Sequence, residues 1–426
     1  MTNNDSPTLL QVSRNTRDLQ GTVVLDGSKS ISNRALIILA LSGENPADWL
    51  SNLSTSKDTQ TLLRLLSQTE GPFDAGDAGT TFRFLTALLA IRPGEQTLTG
   101  STRMQERPVG PLVEALRSLG ADIQFLDKPD YPPLKIGEMK PKGRRVAVAA
   151  NVSSQFLSAL LLIGPYLPQG LELAPEGPLV SRPYLEMTIE LMRHFGATVD
   201  WQGDAIVVAP GKYTPRKLSV EADWSAASYW YAMAAFSDHL DLTLTGLQEP
   251  SLQGDSVLAK IMQRFDIQST FGENEVHLKK LGQGHRPLFE KDFLECPDIA
   301  QTMAVVCAGL GTIGVFSGLE TLSIKETDRI GALKTELAKV GSHFVKLPAR
   351  FSQKSLDKVF YNLSEKADLS ALPRFATYGD HRMAMAFAAF AMLHPVEIEN
   401  PEVVSKSYPQ FWDHLKQMGF ELKYNV

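Results

Sequence analysis

Cysteine is nearly absent: the 426 residues contain two, Cys296 and Cys307, both in apolar surroundings and neither in a paired Cys/His spacing. This argues against a disulfide framework or a zinc site, and it fits a reducing cytoplasm. No uninterrupted apolar run is long enough to span a bilayer. Met1 to Thr16 lacks a basic segment followed by an apolar core, so no targeting segment is read there. An excess of positive charge is missing too: 42 Lys and Arg stand against 48 Asp and Glu, a formal net charge of −6, with no long basic run. Nucleic acid and anionic membrane are therefore poor candidates for the main partner, and any anion site must be concentrated in one place. With 43% hydrophobic and 21% charged residues, the chain can fill the cores of two or more ordinary domains.

One kind of helix recurs along the chain, rich in Ala, Leu and Met and nearly free of charge after its first turn. Such segments open at Ser30, Asp77, Ser153, Asp223, Asp298 and Asp380. From Asp77 onward the openings are spaced by roughly 75 residues, a period that marks internal repeats. A second, amphipathic helix ends in the same register, at Leu119-Gly120-Ala121, Phe195-Gly196-Ala197, Phe265-Asp266-Ile267, Val340-Gly341-Ser342 and Met418-Gly419-Phe420. Two series with one spacing predict six copies of an α/β unit. The first copy is truncated, since only one helix, Thr61 to Ser67, fits between Lys57-Asp58 and Gly76.

A helix that is apolar all round needs burial on every side. The six units are therefore expected to form two similar α/β domains of three, with buried helices inside and sheets outside. The seams are placed near Gly27-Ser28 and Val220 to Asp223, giving an inserted domain of 28–220 and a second domain, 1–27 with 221–426, that carries both chain ends.

Charge is concentrated at helix openings. Arg107, Arg182, Lys325, Arg329 and Lys406 precede amphipathic helices, and Lys29, Arg34 and Arg382 open buried ones. If the repeats superpose, cations and helix N-termini converge between the domains, an arrangement suited to several anionic groups at once. Asp298, Glu326, Asp328, Asp380 and His381 stand against that field; a carboxylate there can serve as base or, facing an anion, as acid. The plainer reading of Asp223, Asp298, Asp328 and Asp380 is N-capping, and of Lys325 to Arg329 a solvated capping turn after a strand-like Thr321 to Ile324. Gly79 offers a close backbone approach at a helix start, yet neither its loop nor Gly27-Ser28-Lys29-Ser30 has P-loop spacing.

Taken together, Gly27-Ser28-Lys29-Ser30-Ile31-Ser32-Asn33-Arg34, Asp77-Ala78-Gly79-Thr80, Arg103 to Pro108, Ser153-Ser154-Gln155-Phe156, Arg182-Pro183-Tyr184, Lys325 to Arg329 and Asp380 to Met385 resemble the 5-enolpyruvylshikimate-3-phosphate (EPSP) synthase family of enolpyruvyl transferases. The resemblance runs from about Leu25 to the C-terminus. It implies two domains of three βαβαββ units each, an inside-out α/β barrel closing like a clamshell on substrate, and a cytoplasmic monomer. The implied reaction moves the enolpyruvyl group of phosphoenolpyruvate to the 5-hydroxyl of shikimate 3-phosphate, releases phosphate, and needs no metal or organic cofactor.

Carried over by position, Ser30, Arg34, Ser153, Ser154, Ser181, Tyr184 and Lys325 would hold shikimate 3-phosphate, joined by Asp298, and Gln155 would touch both ligands. Lys29, Gly79, Arg107, Arg329, Arg382 and Lys406 would hold phosphoenolpyruvate. Asp298 would be the base and Glu326 the proton donor, Lys29 would share the acid-base work, and His381 would be auxiliary. Three positions depart from the family pattern: Asp77 stands where Asn is common, Phe84 where Pro follows the arginine, and Thr321 where Asn often contacts the sugar phosphate. The related UDP-N-acetylglucosamine enolpyruvyl transferase typically uses a mobile-loop cysteine, and Gly100 to Arg107 has none. A non-catalytic anion-binding homologue is the third reading, and the joint presence of Lys29, Asp298, Glu326 and His381 speaks against it.

Overall fold

The recurring period has a counterpart in the strand pairing. The structure, a computed structural model, describes residues 8–149, 153–177, 179–348 and 358–425. The first seven residues of the stretch read as lacking a targeting segment lie outside these. Contacts divide the chain into two units, one made of residues up to Asp26 with those from Ala222 onward, the other of Gly27–Glu221.

Among the described residues there are six sheets, five of them four-stranded. All five share one plan. The sheet of Phe73–Asp74, Gln96–Thr99, Leu134–Gly137 and Asp122–Phe125, in that spatial order, begins with a parallel pair and continues with two antiparallel pairings. A buried helix, Gly79–Ala90, crosses between the parallel strands, and the amphipathic helix Gly110–Ser118 leads to the antiparallel ones. A parallel pair requires such a crossover, whereas the last two strands need only a short connection. The sixth sheet pairs Leu50–Ser51 with Leu218–Ser219 in parallel and stops there. The helix Lys57–Leu66 leads on to Phe73–Asp74 of the next sheet, so the first copy lacks its antiparallel pair. That helix starts four residues before the expected Thr61, because the Ser56 hydroxyl accepts the Thr59 N–H and caps the earlier turn.

In the unit with both chain ends, Trp224–Phe236 buries every residue but Ser225. It packs with Ala300–Leu310 and His381–Ala388, which are likewise buried nearly all round. In the other unit Lys29–Ser42, Gly79–Ala90 and Ser154–Ile163 pack on one another in the same way. Each trio anchors a separate apolar core. The amphipathic helices end as read: at Gly120, φ +104°, the Ala121 N–H returns to Leu116 O and the Gly120 N–H to Arg117 O, a Schellman closure. Gly196, Gly341 and Gly419 repeat it, and Asp266 takes the left-handed conformation in the remaining copy.

Ser153, Asp223 and Asp380 cap their helices, accepting the N–H groups of Gln155, Ala226 and Arg382. Three expected openings are displaced. Ser28 rather than Ser30 precedes the first helix, and Ala78 rather than Asp77 precedes Gly79–Ala90, the Asp77 carboxylate being taken by the Ser101 hydroxyl. Asp298 lies in the 3₁₀ turn Pro297–Ile299, ahead of the helix proper. Nor is Thr321 to Ile324 a strand; Glu320–Ile324 is a 3₁₀ helix, whose three-residue period places Leu319 and Leu322 on one buried side. The buried helices are also less free of charge than expected, since Arg34 and Arg83 sit inside them at 2% and 5% exposure.

Candidate active site

In the unit that carries both chain ends, one arginine organises the candidate residues. Arg329 is the first residue of the helix Arg329–Ala338, whose start is fixed by the Asp328 carboxylate accepting the N–H groups of Ile330 and Gly331. Its side chain is 2% exposed, and its guanidinium meets three carboxylates: Asp380 through Nε at 2.7 Å, Glu326 at 2.7 Å and Asp298 at 3.1 Å. These acids raise its pKa further despite burial, Asp380 foremost. Arg382 joins from the next buried helix, donating to both the carboxylate and the carbonyl of Asp298 at 3.1 Å. Three carboxylates thus share two guanidiniums in a nearly dry site, where such pairs are strong only while every partner stays in place. His381 is 2% exposed beside Asp380, and Lys406 reaches Gly379 O at 3.3 Å. Lys325 ends the 3₁₀ turn, half-buried.

The inserted unit holds the other candidates. Lys29, the first residue of its helix, pairs with Asp58 at 3.1 Å, and Ser30 follows it. Arg34 is fixed in place by its own unit: it donates to Thr188 Oγ1 at 2.7 Å, to Ser30 O, to Ser158 Oγ and to Tyr184 O, and burial brings its pKa down to about 10. Phe84, one of the departures, lies under that guanidinium at 5.5 Å. Ser154 and Gln155 open the next buried helix, and the Gln155 amide donates to Thr80 Oγ1 at 2.9 Å, tying it to the Gly79 helix. Ser181 is buried in the left-handed region, φ +55°, unusual for a residue with a Cβ, and sets Arg182 and Tyr184 on the first turn of Arg182–His194.

Gly79 is where two arginines meet. A Cβ there would fall 2.6 Å from the Nη1 atoms of both Arg107 and Arg83, so glycine lets both guanidiniums approach without being displaced. Arg107 is 7% exposed and makes no ion pair among the described residues. Arg83, absent from the sequence candidates, donates to Gly79 O at 3.0 Å and stacks over Phe156. A charged residue five positions into an otherwise apolar helix was the available signal. Asp58, the partner of Lys29, was likewise missed. Thr321 is buried within the 3₁₀ turn.

The model of the EPSP synthase (3-phosphoshikimate 1-carboxyvinyltransferase) family matches residues 13–71 and 67–415. The chain belongs to the EPSP synthase family. Relatives within it include the 3-phosphoshikimate 1-carboxyvinyltransferase of Bacteroides fragilis, 46% identical over 407 residues that cover 95% of this chain and 97% of that one. The enzyme of the same name from Neisseria meningitidis serogroup B is 36% identical over 92% of this chain and 94% of its own. Among solved structures, EPSP synthase from Acinetobacter baumannii superposes with a TM-score of 0.76, covering 98% of this chain and 100% of the other at 21% identity. An enolpyruvyl transferase from Streptomyces tendae has a TM-score of 0.70 at 15% identity, with 98% and 99% covered. These two bear on the fold, which is the mixed α/β architecture of EPSP synthases. Among the described residues no helix is long and apolar enough to cross a membrane, and no group of three or more His, Cys, Asp or Glu is placed to hold a metal ion.

Proposed function

We propose that the protein transfers the enolpyruvyl group of phosphoenolpyruvate to the 5-hydroxyl of shikimate 3-phosphate and releases phosphate. The observation that carries the reading is Arg329 held at once by Asp298, Glu326 and Asp380, which places a candidate base, a candidate acid and an anion-binding cation within one side chain's reach. We also read each unit as an inside-out α/β barrel, with the two half-sites acting on one substrate pair in a cytoplasmic monomer.

Asp298, kept ionised by Arg329 and Arg382, takes the proton of the 5-hydroxyl as its oxygen attacks C2 of phosphoenolpyruvate. Glu326 protonates the methylene carbon, giving a tetrahedral intermediate that still bears phosphate. Its proton has a physical source: phosphoenolpyruvate at Arg329 displaces the Glu326 carboxylate, which then faces an anion and takes up a proton. In the second half Glu326 recovers a proton from the new methyl group, the C–O bond to phosphate breaks, and Asp298 returns its proton to the leaving phosphate. Arg107, Arg329, Arg382, Lys29 and Lys406 balance phosphate and carboxylate charge throughout, with Gln155 between the ligands. Ser30, Arg34, Ser153, Ser154, Ser181, Tyr184 and Lys325 hold the sugar phosphate, and His381 steadies Asp380.

Phosphate release is expected only when both substrates are present, with a new enol ether detected by mass; no release from the pair defeats the reading. Gly79→Ala is expected to raise KM for phosphoenolpyruvate about tenfold or more, roughly 1.4 kcal/mol, because the new Cβ pushes Arg107 from its place. The same variant should change KM for shikimate 3-phosphate far less. Equal rises in both constants would show that Gly79 is not part of the phosphoenolpyruvate site.

A further inference from the structure

The turn Gly254–Val257 carries a buried carboxyl that the reaction scheme leaves unused. Asp255 is 4% exposed. One of its oxygens accepts the Ser225 hydroxyl at 2.5 Å, and the other has no hydrogen-bond partner among the described residues. Neighbouring Gln253 fixes this turn to the start of the buried helix Trp224–Phe236: its side-chain oxygen accepts the Trp224 N–H at 3.1 Å, and its amide donates to Ala222 O at 2.7 Å. The same helix packs against the Pro297–Ile299 turn that bears Asp298. Ser228, one turn on from Ser225, pairs with Thr302 Oγ1 at 3.0 Å in the helix that follows Asp298, so the turns of Asp255 and Asp298 both pack on the opening of one helix, whose N-cap is Asp223.

We propose that Asp255 is a positioning residue for the Asp298 base: uncharged, it leaves Asp298 ionised between Arg329 and Arg382, and ionised, it strengthens the hold of Asp298 on a proton. The inference rests on Asp298 being the base of the proposed reaction. Coupling between two acids is mutual, so whatever Asp298 does to Asp255 is returned. Burial chiefly, and then the charge of Asp298, push the Asp255 carboxyl up to about 7, with Asp223 adding to the rise and Arg382 and the Ser225 hydrogen bond opposing it. The other titratable neighbours do not compete: the Cys296 thiol is itself pushed up to about 12 by burial and by Asp255, and Lys260 on the following helix is exposed.

The test is the pH profile of the single-turnover rate at saturating substrates in Asp255→Asn, Ser225→Ala and the unaltered enzyme, where titration of the substrate phosphates is common to all three. In the unaltered enzyme the rate is expected to rise through an inflection at or above neutral pH, as ionised Asp255 makes Asp298 a stronger base. Asp255→Asn, which keeps the size and the Ser225 hydrogen bond, loses that rise and is about threefold to tenfold slower at pH 8.5. Ser225→Ala removes a bond that favours the ionised form, so its inflection moves to higher pH.

Folding supplies a readout without turnover. Between pH 4 and 7 the folded form holds a proton on Asp255 that the unfolded chain has lost, so stability falls as pH rises through that window. In Asp255→Asn this part of the fall in the urea midpoint disappears. An inflection that survives in Asp255→Asn, or slowing by one factor at every pH, overturns the proposal. An unaltered enzyme that never releases phosphate from the substrate pair overturns the reaction reading instead, and the inference with it.

Discussion

Asp298→Asn is expected to lower kcat by about 10²- to 10⁴-fold, the usual worth of a positioned general base, while KM for shikimate 3-phosphate stays within about threefold. The amide keeps the volume of the side chain and can still accept from a guanidinium, but it cannot take the hydroxyl proton. Glu326→Gln should cost as much through loss of the proton donor. The charge count sharpens the expectation. Three carboxylates face Arg329 and Arg382, so removing either negative charge leaves the two cations less screened and KM for phosphoenolpyruvate equal or lower. A variant with kcat within tenfold of the unaltered enzyme would remove that residue from the acid-base role. A raised KM with normal kcat would recast it as a binding group.

Arg329→Gln should be the most destabilising change in the site. The arginine side chain is 2% exposed, and Asp298, Glu326 and Asp380 around it are 14%, 18% and 0% exposed. Without the guanidinium these acids confront each other beside Arg382, and breaking a buried ion pair in this way costs about 3–5 kcal/mol. Arg329→Lys should recover part of the loss, since one ammonium supplies the charge but cannot fork to three partners. Urea unfolding followed by tryptophan fluorescence measures both; Trp224 and Trp230 lie in the same core. A loss below about 1 kcal/mol in Arg329→Gln would mean the acids relax apart and the cluster is not a structural unit.

The repeat was legible because it depends on local chemistry written several times over: apolar helices without a polar face, and glycine endings such as Gly120 and Gly196 that only a left-handed closure explains. The short first copy could be read from a count of residues. What stayed hidden depends on contacts distant in sequence. Asp298 looks like a helix cap, but Arg329 and Arg382, which the fold brings from 31 and 84 residues away, take its carboxylate, and the turn begins at Pro297. Thr321 to Ile324 looks like a strand because Leu322 and Ile324 alternate with polar residues; the buried pair Leu319 and Leu322 decides for a 3₁₀ turn. Arg83 is hidden in the sequence for a similar reason. Its role follows from the proximity of Gly79 and Arg107, which no spacing within its own helix encodes.

The strand Leu9–Ser13 lies between Val396–Glu399 and Glu421–Asn425, antiparallel to both. Likewise Asp18–Val24 has its parallel partner in His239–Thr245, beyond the whole inserted unit. During synthesis, at about 5–20 residues per second, the earliest strand therefore waits for nearly the whole chain before either neighbour exists. Gly27–Glu221 can complete its own sheets in that interval, while the other unit cannot close the sheet of Leu9–Ser13 until Glu421–Asn425 leaves the ribosome. Among the described residues, the first strand in the sequence is a central strand of the sheet that Glu421–Asn425 completes.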